Sequence, residues 1–180
     1  MEQDANNTPI KVGLKYGIIL GVAMSVISLV FHYAGLNDNP ADPSMTNAIL
    51  TTGVTWVILF ALFYMGIKNF KDGNDGHLTF GEGLVTALFI GLISGIISAI
   101  FSYVLFTYIA PELAGSITEA AMEGAREGGG GDLDEDGEEM MNSMMSTMTS
   151  PGVLSTIALV TRIVTAAIFG IIATLIQKTE

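Results

Sequence analysis

No cysteine occurs among the 180 residues, which excludes thiol catalysis, thiolate metal centres and disulfides. Histidine is almost as scarce, with only His32 and His77, which a four-span threading of the apolar blocks puts on opposite sides of the membrane and so in no common site. Charged residues make up only 14% of the sequence. Lys and Arg number 7 against 18 Asp and Glu, for a net charge of −11, so a nucleic-acid-binding face has no basic residues to build on. No glycine loop runs into a Lys-Ser/Thr pair, and no two carboxylates fall within the apolar stretches to serve an aspartyl protease or a proton relay. The chain is therefore expected to be no enzyme and to hold no resident cofactor.

What is abundant is apolar sequence, at 50% of the residues with a mean hydropathy of +0.55. It is gathered into four blocks, Tyr16–Ala34, Ala48–Ile67, Leu84–Ala110 and Val153–Ile176, and three of these contain no charge. Each reaches the ~19–20 residues that cross a hydrocarbon core of about 30 Å. With no amphipathic helix left to shield four apolar ones from water, the solvent must be lipid, and backbone in lipid must be helical. The prediction is an all-α membrane protein with four transmembrane helices. Lys11 and Lys15 precede the first block in the manner of a signal peptide, but no small-x-small cleavage site follows Phe31-His32-Tyr33, so an uncleaved span is expected.

Lys11, Lys15, Lys68, Lys71 and Lys178 fall on one side of a four-span threading, and only Arg126 on the other, which predicts both termini in the cytoplasm. The regions are then 1–110 (three spans with short loops), 111–150 (an extracytoplasmic segment) and 151–180 (the fourth span and C-terminus). Tyr16 and Tyr64 mark the inner interface, and Tyr33, Tyr103 and Tyr108 the outer one. Trp56 falls mid-span, where packing between helices is expected.

The first and third spans align without a gap, with seven identities in 21 positions: Gly13-Leu14 with Gly83-Leu84, Gly21 with Gly91, Ile27-Ser28 with Ile97-Ser98, Phe31 with Phe101, and Tyr33 with Tyr103. A tandem duplicated hairpin fits this pattern. Small residues recur every four positions at Gly13, Gly17, Gly21 and Ser25, and again at Ala87, Gly91, Gly95 and Ala99. Such stripes let helices approach closely in lipid. A homodimer seam is one use; packing of the first and third spans on each other within one bundle is the expected one.

The third block is too long for its task, since 27 residues rise about 40 Å. It must tilt or project outward, with Pro111 at a kink or a new first turn. From Pro111 to Ser150 the chain carries ten carboxylates and one base. Glu112–Glu127 reads as a helix, Gly128–Gly131 as a break, Asp132–Glu139 as a mobile acidic run, and Met140–Met148 as a helical methionine row. Asp132, Asp134, Asp136 and Gly137 match positions one, three, five and six of a calcium loop, but Ser143 stands where the twelfth-position glutamate belongs. A solvated acidic run is the expected reading, with weak cation binding as the sharper one. The methionine row is expected to be an apolar face rather than a copper(I) site.

Arg162 is the one charge inside a block, ten residues beyond Gly152 and about 15 Å down the fourth helix. An arginine at that depth is a functional candidate by default. Its expected partners are outer headgroups, Glu112, or the serine face Ser94, Ser98 and Ser102. Glu82, just before the third span, reads as an N-terminal helix charge or as a cation access group.

Lys15-Tyr16-Gly17 with Gly21, Asp75-Gly76-His77-Leu78-Thr79-Phe80-Gly81-Glu82, Tyr108-Ile109-Ala110-Pro111-Glu112 and Ser150-Pro151-Gly152 together resemble the bacterial domain of unknown function 4199 family. The resemblance implies a small four-span inner-membrane protein and no activity, since the family supplies no catalytic or binding residues to carry over. Gly128–Glu139 departs from the family pattern. The expectation is a non-enzymatic structural or accessory subunit with the lipid bilayer around it and a protein partner or second copy beside it. A small transporter using Arg162 and the serine face, and outer cation binding by the acidic segment, are the alternatives.

Overall fold

The computed structural model describes residues 8–36, 45–129 and 135–178. Among these the chain is all helical: α1 (Pro9–Tyr33), α2 (Met45–Asp72), α3 (Phe80–Val104), a short π-helical turn (Leu105–Ile109), α4 (Pro111–Gly129), α5 (Glu135–Met148) and α6 (Pro151–Gln177). Four of them, with α3 counted through its π turn, are long and apolar enough to cross a membrane. Their surfaces carry large apolar side chains outward along the whole length, including Val22, Val26 and Val30 on α1 and Val160, Val164 and Ile168 on α6. Lipid is the solvent that suits this surface.

Local chemistry sets the ends. Thr8 caps α1, accepting from Lys11 N–H at 3.3 Å, and Pro9 stands where its missing N–H costs nothing. The α2–α3 turn needs left-handed backbone, which Asp75 (φ 51°) and Gly76 (φ 79°) provide. Thr79 and Glu82 then close a capping box on α3: Glu82 N–H donates to Thr79 Oγ1 at 3.3 Å, and Thr79 N–H donates to Glu82 Oε2 at 3.0 Å. At the other end of α3, Ala110 N–H reaches back five residues to Leu105 C=O at 2.8 Å. Pro111 cannot continue that ladder and begins α4, so of the two readings for the overlong third block the new first turn is the one found.

α3 is the central helix, packed on two faces. Gly13, Gly17 and Gly21 of α1 receive the ridge Phe89, Ile93 and Ile97; a β-carbon at Gly17 or Gly21 would come within 2.7 Å of the facing isoleucine. The first and third spans thus pack on each other, in parallel. The small stripe of α3 turns the other way, toward antiparallel α6: Gly83 meets Thr174, Gly91 meets Ala166, and Gly95 meets Leu159 and Arg162. Ala87 of the same stripe faces Gly170. All five glycines expected at packing positions are used inside one chain. The two aligned hairpins also pack differently, because α3 and α6 meet along their length whereas α1 and α2 meet near Tyr16 and Gly66.

We call the end of the bundle that holds Pro9 and Gln177 the base, and the end that holds α4 and α5 the crown. In the base, Leu20, Phe63, Ile67, Phe70, Leu78 and Ile90 are fully enclosed. Lys71 Nζ donates to Gln177 C=O at 2.7 Å and Gln177 Nε2 to Tyr64 C=O at 3.0 Å, tying α2 to the last turn of α6. In the crown half of α2, from Met45 to Ile58, no residue is buried. There the helix stands away from its neighbours.

The acidic segment is more regular than its charge suggests. α4 covers the expected helix and runs two residues into the glycines, and the expected mobile run is helical from Glu135 onward. Carboxylates in the first turn of a helix are favoured by its dipole, which is why acidity did not prevent α5. A Thr118–Thr149 hydroxyl contact joins α4 to the end of α5.

Candidate functional site: a chamber in the crown half

Where α2 departs, the four spans line a half-open cavity of about 700 Å³. This lies within the ~300–1,000 Å³ range of small-molecule sites. α1 contributes Ser25 and Ser28, α2 contributes Thr51, Thr52 and Thr55, α3 contributes Ser98 and Ser102, and α6 contributes Thr161, Arg162 and Thr165. The rest of the lining is apolar or aromatic.

The floor is aromatic. Phe169 takes the edges of Trp56, Phe60 and Phe63 at centroid distances of 5.7, 5.9 and 6.3 Å. Leu59 and Phe169 belong both to the floor and to the packed base. Near the crown, Phe101 and Phe106 line the chamber and pack on Leu105, Ala110 and Leu113, so the start of α4 braces that side. The mouth is the seam between α2 and α6, where Trp56, Ile157 and Ile168 line the cavity yet stay 60%, 49% and 53% exposed. Trp56 does stack on Phe169, but it stands at an opening rather than inside an interface.

Arg162 is half-buried in the chamber wall. Among the described residues its guanidinium makes no ion pair or hydrogen bond. Glu112, one of its expected partners, instead lies 4.0 Å from His32 Nε2. The serine face divides. Ser94 is fully buried, bonds to Gly91 C=O of its own helix at 3.2 Å, and lies outside the chamber wall. Ser98 and Ser102 do line it. Most chamber hydroxyls with a bond turn back on their own helix, as Ser25 does to Gly21 C=O (2.9 Å), Thr51 to Asn47 C=O (2.8 Å) and Thr165 to Thr161 C=O (2.8 Å). Ser98 differs: its Oγ is buried and has no partner.

Glu82 sits at the base, occupied in the capping box, far along α3 from the chamber. Asp132 and Asp134 lie outside the described residues. Asp136 is exposed in the first turn of α5, and Gly137 continues that helix rather than making the sharp turn a calcium loop needs at its sixth position. Among the described residues no group of three His, Asp or Glu could hold a metal ion. Met140, Met144 and Met148 line up exposed along α5.

The sequence reading found Arg162, Ser98 and Ser102 but missed the α2 wall. Thr51-Thr52 and Thr55, one helical turn apart, were the available signal.

A family model described as "Protein of unknown function (DUF4199)" matches residues 15–179. No curated protein and no solved structure matches the chain.

Proposed function

This chain belongs to the DUF4199 family, and from that premise we propose that it is a non-enzymatic accessory protein of a bacterial inner membrane that binds a ligand in its chamber and does not conduct one across. One observation carries this reading: the chamber ends at an aromatic floor that is continuous with the packed base. A transporter path through Arg162 would have to cross that layer. The basic residues at the base, Lys11, Lys15, Lys68, Lys71 and Lys178, favour cytoplasmic termini and a chamber in the outer half of the bilayer. The acidic α4–α5 segment then stands outside as the surface for a basic protein partner.

Because the native chain has no cysteine, single cysteines test this directly. In sealed vesicles of known sidedness, Ser102→Cys and Thr55→Cys should react with a membrane-impermeant thiol reagent from the periplasmic face. Ile67→Cys, in the base, should stay unreactive from both faces. Reaction at Ile67→Cys would establish a through-path and favour transport. Failure of Ser102→Cys to react from the periplasmic face would end the chamber reading or its sidedness.

A further inference from the structure

We propose that the chamber binds a membrane-borne acidic amphiphile, one anionic head on one apolar tail, with the head against Arg162 and Ser98 and the tail leaving through the α2–α6 seam. This deepens the chamber reading and rests on it. Arg162 is a fixed cation in an apolar and hydroxyl-bearing wall, and no described carboxylate meets it. A charge held within the span is stabilised by an opposite charge brought to it.

Ser98 points to the same place by a different route. It is 8% exposed, it lines the chamber, and its hydroxyl has no partner. Arg162 Cβ packs at Gly95, one turn nearer the base than Ser98. Helical side chains lean toward their own N-terminus, which for α6 is the crown, so the guanidinium extends toward the level of Ser98. A carboxylate or phosphate oxygen between them would accept from both groups.

The charge distribution selects how such a ligand arrives. The segment 111–150, which leaves the crown end of α3 in sequence, has a net charge of −9, which disfavours an anion approaching from water. The seam is framed by exposed apolar side chains, Trp56, Ile157 and Ile168, and faces the hydrocarbon. Arg162 lies about 16 Å from the start of α6, well below the level where a two-chain phospholipid holds its head. A single-chain acid can sink that far as a whole molecule.

Trp56, the sole tryptophan, stands at the mouth and reports occupancy. The full chain in nanodiscs is titrated with a dibrominated fatty acid, and quenching of Trp56 is challenged with palmitate, palmitoyl-lysophosphatidate, hexadecanol or inorganic phosphate. The expected result is a saturable component displaced by palmitate or lysophosphatidate; the better competitor identifies the head as carboxylate or phosphate. Arg162→Gln should weaken that component about tenfold or more, Arg162→Lys much less, and Ser98→Ala about threefold. Equal displacement by hexadecanol, displacement by inorganic phosphate alone, or no competable component would overturn the proposal. The alcohol comparison uses the wild-type chain and so stands even if a variant fails to fold. If Ser102→Cys is still labelled from the periplasmic face while no acid competes, the chamber reading survives and this inference alone fails.

Discussion

The base and the crown half of the bundle are made of the same kinds of residue, yet one is solid and the other hollow. In the base, α2 presents Leu59, Phe63, Gly66, Ile67 and Phe70, large side chains with one glycine that admits Ile90 and Tyr16. In the crown, α2 presents Thr51, Thr52 and Thr55, too short to reach across and, at Thr51, already bonded to its own backbone. Lipid supplies no hydrophobic force to draw such a face inward, so only shape and hydrogen bonding decide whether helices close. Small residues therefore have opposite consequences here. Facing a ridge they bring helices together; facing one another across α2 they leave room.

Seven substitutions sharpen or break this contrast. The largest effect is expected at Phe63, fully enclosed in the base: Phe63→Ala should cost about 3–5 kcal/mol in reversible unfolding from mixed micelles. Phe101→Ala, whose ring packs on Leu105, Ala110 and Leu113 on one side and borders the chamber on the other, should cost less, about 1–2 kcal/mol. Equal losses would mean that the chamber is filled by packing. Next comes Gly91→Val, whose β-carbon would collide with Ala166, at about 2–3 kcal/mol, against little change for Gly53→Val, which has open space around it.

Arg162→Leu is expected to leave stability unchanged or raise it by about 1–2 kcal/mol, because a partly buried charge without a partner gives way to an apolar side chain. Clear destabilisation in the same unfolding assay would make Arg162 a structural anchor. A smaller effect is expected at the base turn, where Glu82→Ala removes the capping box for about 1 kcal/mol. Glu112→Ala in the crown, losing only a 4.0 Å approach to His32, should be nearly silent by thermal unfolding.

The four spans were legible because hydropathy is a local property, and the new helix start at Pro111 because proline acts on its own backbone. Which way a span faces was not. α3 has no charged face, and its serines and small residues do not say which neighbour each flank meets, so nothing in its sequence tells that Gly91 and Gly95 look toward α6 while Phe89 and Ile93 look toward α1. Arg162 was conspicuous, being a lone charge in an apolar run, and Ser98 and Ser102 followed from their spacing. The chamber itself depends on where α2 stands relative to three other helices, and Thr51, Thr52 and Thr55 mark only which face of α2 turns toward it. Asp136 was assigned to a loop because runs of acid suggest solvation, whereas in the chain it begins a helix.

α3 touches the first span on one flank and the last on the other. During synthesis, then, the first and third helices can pair inside the membrane while the ribosome is still making the acidic segment, but the second flank of α3 stays open until the final helix has been delivered. A chain arrested before Pro151 would expose Gly83, Gly91 and Gly95 to lipid or to any neighbouring helix able to lie against them.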